Sequence, residues 1–231
     1  MVVKGVNFVG IKEVGDPVLF AKKYCEDGAD ELIMLDITAT VERRKTKLDI
    51  ISRIKEVINI PLAVGGGIRN LQDIEDALNA GASKVGINTA AVKDKNIIKE
   101  AAVKFGSEKI ILAVDTKRLN NGKYTVYING GRDDTGIDLI DWVKEAELLG
   151  AGELLPTSID TDGVRDGYDT ELYNLICNAV KIPVTASGGC GKLEDFAEIF
   201  NKTNISAALA ASVFHFGKFT VKQVKEYLGW I

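Results

Sequence analysis

The chain has 231 residues and a mass of 25.0 kDa, 46% of it hydrophobic and 27% charged, a composition that fills a large core and excludes a disordered or fibrous chain. Lys+Arg 29 against Asp+Glu 33 leaves a net charge of −4, so no nucleic-acid footprint is expected and any phosphate binding must be local. Three dispersed cysteines without a C-x-x-C, a single histidine and no long apolar run argue against a disulfide framework, a metal site, histidine-based triads and a membrane span, and a cytoplasmic protein is expected.

In chain order, a Val-Val-Lys-Gly stretch at 2–5 reads as a loop. An apolar run at 31–37 predicts the first strand, and the helical period at 48–58 predicts a helix. Strand 62–64, helix 71–80, strand 84–87 and strand 109–115 follow, then helix 139–149 and strands 153–159, 184–186 and 207–211. Nearly continuous Ile, Val and Leu in short runs is the pattern of parallel strands covered on both faces by helices. Gly28, Gly81 and Gly150 stand where helices should stop.

Shifted by 122 residues, the chain matches itself without a gap from Asp16/Asp138 to Asp73/Asp195. Gly28/Gly150, Glu31/Glu153, Pro61/Pro183, Gly66/Gly188 and Gly67/Gly189 lie between. Two copies of a βα half close most simply into one α/β domain, a (β/α)₈ TIM-type barrel. A single barrel domain over 1–231 is expected, with half-barrel repeats at about 1–107 and 108–231. The mate of strand 109–115 would fall before residue 1, so the expected barrel lacks its first strand.

Barrel chemistry sits at the C-terminal ends of the strands. Two strands end there in Gly65-Gly66-Gly67 and Ser187-Gly188-Gly189, turns whose backbone can approach an anion or simply turn tightly with no ligand. Their neighbours end in Asn88-Thr89 and Ala211-Ser212, with hydroxyls that could bind phosphate or serve as N-caps. Together they suggest two cradles for a substrate with a phosphate at each end. Asp115 closes strand 109–115 and is the candidate general acid or base, the alternative being a capping or Lys117-paired aspartate. Asp36, Asp160 and Asp162 could bind sugar hydroxyls or anchor loops. Glu31, Lys84 and Glu153 start strands at the opposite rim, where charge ordinarily serves stability. Arg43-Arg44-Lys45 reads as a solvated face, Trp142 and Trp230 as helical packing. His215 could touch the second cradle or lie exposed.

At these motifs the sequence resembles the cyclase subunits of imidazole glycerol phosphate synthase, from histidine biosynthesis. The resemblance rests on Val-Val-Lys-Gly-Val-Asn-Phe (2–8), Leu-Asp-Ile-Thr-Ala (35–39), Val-Gly-Gly-Gly-Ile (64–68), Ile-Asn-Thr-Ala-Ala (87–91), Thr-Ser-Ile-Asp-x-Asp-Gly (157–163) and Ala-Ala-Ser-Val-Phe-His-Phe (210–216). It implies a lyase that uses ammonia from a glutaminase partner to convert a bisphosphate, phosphoribulosyl-formimino aminoimidazole carboxamide ribotide. The products are imidazole glycerol phosphate and aminoimidazole carboxamide ribotide. Neither metal nor organic cofactor is implied.

By the same resemblance Asp115 is catalytic, Gly67, Asn88 and Thr89 hold one phosphate, and Ser187, Gly188, Gly189, Ala211 and Ser212 hold the other. Asp162 contacts substrate between them. Glu31, Lys84 and Glu153 become an ammonia gate instead of stability devices. The family's second catalytic aspartate and a gate arginine would lie upstream of Met1, so activity reduced by ~10²–10⁴-fold is expected of the chain as given. Two alternatives are an inactive barrel that still binds phosphate or the glutaminase, and a relative acting on a different sugar.

Overall fold

The computed structural model describes residues 2–6, 9–36, 39 and 46–231. Its frame is a run of parallel strands: β3 (Leu32–Leu35), β4 (Leu62–Gly65), β5 (Lys84–Ile87), β6 (Ile110–Arg118) and β9 (Glu153–Ser158). Two parallel bridges, Leu154 to Val184 and Thr157 to Ser187, carry the sheet on to β10 (Thr185–Ala186). That strand in turn pairs with β11 (Ala207–Ala208). The seven parallel strands fall on the seven predicted apolar runs, and the chain folds as a (β/α) barrel. No pairing among the described residues joins β11 to β3. Both late strands are shorter than predicted.

The alternation along each strand separates two apolar sets. Val64, Ile110, Leu112 and Leu154 face the helices and join the main core. Ile33, Ala63, Ile111, Leu155 and Leu209 form a separate cluster inside the barrel. The helices α2 (Leu48–Lys55), α3 (Leu71–Asn79) and α6 (Leu139–Leu149) lie where the apolar period placed them. Trp142 of α6 is buried, whereas Trp230 lies beyond the last helix, edge-on to Phe200.

Residues 122 apart occupy matching places. Asp16 caps α1 (Pro17–Glu26) by accepting from the Val18 and Leu19 amides, and Asp138 caps α6 by accepting from Ile140 and Asp141. Deeper in, Asp73 accepts the Arg69 amide just as Asp195 accepts the Gly191 amide, tying each glycine turn to the helix that follows.

Two hairpins depart from the sequence reading. Residues 2–5, read as loop, belong to β1 (Val2–Val6), which pairs antiparallel with β2 (Val9–Gly15). Beyond Asp115, β6 continues three residues to Arg118 and pairs antiparallel with β7 (Tyr124–Ile128), which pairs with β8 (Asp133–Asp138). Asp115 therefore stands where β6 leaves the barrel wall for the hairpin. The signal was in the sequence: Asn121-Gly122 and Asn129-Gly130-Gly131 flank an alternating Tyr-Thr-Val-Tyr-Ile, the pattern of a two-turn β meander. The basic run at 43–45 lies outside the described residues.

Candidate functional site

At the C-terminal mouth, β5 and β6 are neighbours in register, with Ile87 opposite Leu112. Their ends bring Asn88 onto Asp115: Asn88 Nδ2 donates to Asp115 Oδ2 at 3.0 Å. Burial pushes the Asp115 carboxyl up to about 7, and the negative charge of Asp162 pushes in the same direction. Hydrogen bonds from Asn88 and from the Gly131 amide pull against both. An aspartate poised near neutrality can both give and take a proton at physiological pH. The reading of Asp115 as a helix cap or a Lys117 partner finds no place in this geometry.

The first glycine turn needs its glycines. Gly66 has φ +87°, and a Cβ there would lie 2.3 Å from the Asp36 carbonyl oxygen; Gly67 has φ +76°. Beside it, Thr89 is the first residue of α4 (Thr89–Lys93), with Asn88 in the capping position, so its hydroxyl is not a cap. Thr89 Oγ1 instead accepts the Asn129 amide at 3.0 Å, which brings the β7–β8 tip over this corner. Sequence reasoning missed that tip. Asn129, Gly130 and Gly131 all have φ between +55° and +72°, a left-handed run whose Asn129 amide reaches Thr89 and whose Gly131 amide reaches Asp115.

The second turn is built alike, with Gly188 at φ +91° and Gly189 at φ +104°. A Cβ on Gly189 would lie 2.0 Å from the Gly167 carbonyl oxygen. Ser187, Gly188 and Gly189 are buried, as is Ser212, which follows Ala211 in the capping position of α9 (Ser212–His215) and likewise does not cap. Asp162 stands against Gly188, whose Cβ would fall 3.5 Å from it. The structure thus brings Asn88, Asp115 and Asp162 together between two paired turns. Asp160 faces elsewhere and accepts the Arg118 amide at 2.8 Å, the loop-anchoring alternative. His215 packs on α1, where its Nδ1 meets the Tyr24 hydroxyl at 2.6 Å.

The opposite rim carries a linear ionic chain from Glu31 through Lys84 to Glu153. Lys84 Nζ lies 2.9 Å from Glu31 Oε2 and 2.7 Å from Glu153 Oε2. Glu153 Oε1 accepts the Thr185 hydroxyl at 2.7 Å. Burial alone would lower the Lys84 pKa, but the two carboxylates outweigh it and hold the ammonium above its ordinary range. Thr185 carried no signal in the sequence beyond a hydroxyl in an apolar strand. Between this rim and the mouth lies the interior cluster of Ile33, Ala63, Ile111, Leu155 and Leu209. No helix among the described residues is long and apolar enough to cross a membrane.

A parallel barrel that gathers a near-neutral carboxyl and paired glycine turns at its C-terminal mouth belongs to the class of (β/α)-barrel enzymes. Residues 1–220 match the family described as histidine biosynthesis protein, and the chain belongs to that family. It is 53% identical over 228 residues to the imidazole glycerol phosphate synthase subunit HisF of Clostridium botulinum (strain Okra / Type B1), covering 98% of this chain and 90% of that one. With the subunit of the same name from Endomicrobium trichonymphae it shares 55% identity over 227 residues, 98% of this chain and 87% of the other.

Proposed function

We propose that the chain is the cyclase subunit of imidazole glycerol phosphate synthase, a lyase of histidine biosynthesis acting in the cytoplasm as one barrel domain over 1–231, with half-barrel repeats at about 1–107 and 108–231. The observation that carries this reading is the Asp115 carboxyl, held near neutral pH between two matching glycine turns. A bisphosphate spans the mouth in this reading. One phosphate lies against Gly67, Asn88 and Thr89, the other against Ser187, Gly188, Gly189, Ala211 and Ser212. Asp162 binds the middle of the substrate.

Asp115 then moves protons as ammonia adds and the ring closes, and the nearby Asp162 charge keeps it basic enough to accept them. Ammonia comes from a glutaminase subunit docked on the opposite rim. Glu31, Lys84 and Glu153 form the charged gate there, and the apolar interior beyond them favours the neutral molecule over ammonium.

The test is turnover of phosphoribulosyl-formimino aminoimidazole carboxamide ribotide with an ammonium salt. Imidazole glycerol phosphate and aminoimidazole carboxamide ribotide should form in equal amounts. Tight binding of the bisphosphate with no product would instead make the chain a binding barrel.

A further inference from the structure

Behind the second glycine turn lies a hydroxyl that the reading above does not use. Tyr173, on α7 (Thr170–Ala179), is fully buried and among the largest side chains in the core. Its hydroxyl approaches the Ser187 carbonyl oxygen at 2.6 Å and the Pro156 carbonyl oxygen at 3.0 Å, and it accepts the Ser187 amide at 2.8 Å. In extended backbone the N–H and C=O of one residue point to the same side, so a single hydroxyl serves both groups of Ser187. Its one hydrogen lies between the Ser187 and Pro156 carbonyl oxygens, with the shorter approach to Ser187, so β9 is drawn to the same point.

The matching place in the first half is Ile51, fully buried and without a polar atom. The first turn is held otherwise, by the Thr46 hydroxyl on the Gly66 carbonyl oxygen. A tyrosine that only filled space would need no partner, and phenylalanine would serve. Here the hydroxyl fixes the orientation of the peptide from which the Ser187-Gly188-Gly189 turn springs. The Gly188 amide, trans to the Ser187 carbonyl across a planar peptide, is left pointing away from it.

We propose that Tyr173 is a positioning residue for the second anion cradle: its buried hydroxyl locks the Ser187 peptide and so presets the turn that receives one phosphate of the substrate. The inference rests on the phosphate reading of that turn. Tyr173 touches no substrate and moves no proton. Its work is to remove the ordering cost that a loose glycine turn would charge against binding.

The experiment titrates inorganic phosphate into the whole chain and follows the backbone amide resonances of Gly188, Gly189 and Gly67, in the wild type and in Tyr173→Phe. Losing the one hydroxyl should weaken binding at Gly188 and Gly189 roughly tenfold, the size expected when a buried pair of polar groups loses its partner. Gly67 should be unaffected. The KM for the bisphosphate should rise by a similar factor with kcat little changed. Equal weakening at both turns, or none at either, would overturn the proposal, since a merely structural tyrosine loosens the whole barrel or nothing.

If Tyr173→Phe does not fold, hydrogen exchange of the wild-type Ser187 amide decides. Strong protection supports the lock, and exchange at the rate of an open loop refutes it. Phosphate that shifts neither turn in the wild type would remove both the cradle and this inference. Absent turnover with the phosphate effect intact would remove the cyclase reading and leave Tyr173 in place.

Discussion

Asn88 gives one end of its amide to Asp115 at 3.0 Å, and the other end, Oδ1, is buried with no partner among the described residues. A buried carbonyl without a donor is costly. Its position two bonds from the nitrogen that holds the near-neutral aspartate places it to receive a substrate N–H or O–H. Asn88→Asp, which removes the donor and adds a like charge, should abolish ammonium-dependent turnover while the barrel stays folded by circular dichroism.

Asp115→Asn should lower kcat by ~10²–10⁴-fold, the range for loss of a positioned acid–base group. KM should change little if, as proposed, the two phosphates carry the binding. Steady-state kinetics with an ammonium salt separates the two parameters.

The pH profile should inflect near 7, where Asp115 titrates. Asp162→Asn removes a charge that raises that pKa and should move the inflection to lower pH; Asn88→Leu removes a bond that lowers it and should move the inflection higher. The stability counterpart has a definite sign. A carboxyl raised above its unfolded value of about 3.9 favours the fold fully below that pH. The contribution fades as pH rises through about 7. Urea denaturation between pH 4 and 8 should therefore show Asp115→Asn gaining on the wild type as pH rises.

At the opposite rim, Lys84→Met leaves Glu31 and Glu153 facing each other. Fully buried pairs lose ~3–5 kcal/mol when one partner is removed. The Lys84 and Glu31 side chains are 27% and 29% exposed, so about 1–2 kcal/mol is expected from chemical denaturation. In the assembled synthase the same change should lower glutamine-dependent turnover more than ammonium-dependent turnover.

Two glycines separate backbone strain from close contact. Gly28 has φ +87° with nothing near its missing Cβ, so Gly28→Ala should cost about 1 kcal/mol of stability. Gly189→Ala adds a Cβ 2.0 Å from a carbonyl oxygen. It should cost several-fold more and weaken phosphate binding at the second turn.

The barrel wall was legible because burial on both strand faces leaves an unbroken Ile, Val and Leu signature. The paired turns were legible because positive φ admits little besides glycine. Asp115 and Asp162 stood out, but their mutual influence did not, since 47 residues of chain separate them and the parallel pairing of β6 with β9 brings them together. Thr185 and Tyr173 escaped notice for a related reason: a hydroxyl inside an apolar stretch looks like tolerated noise until its partner is visible. The β7–β8 hairpin escaped although its Asn-Gly signals were present, because its half-polar strands lack the unbroken Ile, Val and Leu run that marks the wall.

The contact between the β7–β8 tip and Thr89 has one more outcome. An oxygen that already receives a backbone proton keeps its own hydrogen for another neighbour. Thr89 thus keeps a hydrogen to give to whatever oxyanion enters its corner of the mouth, and a loop 40 residues away in the chain has already taken up one of its two lone pairs.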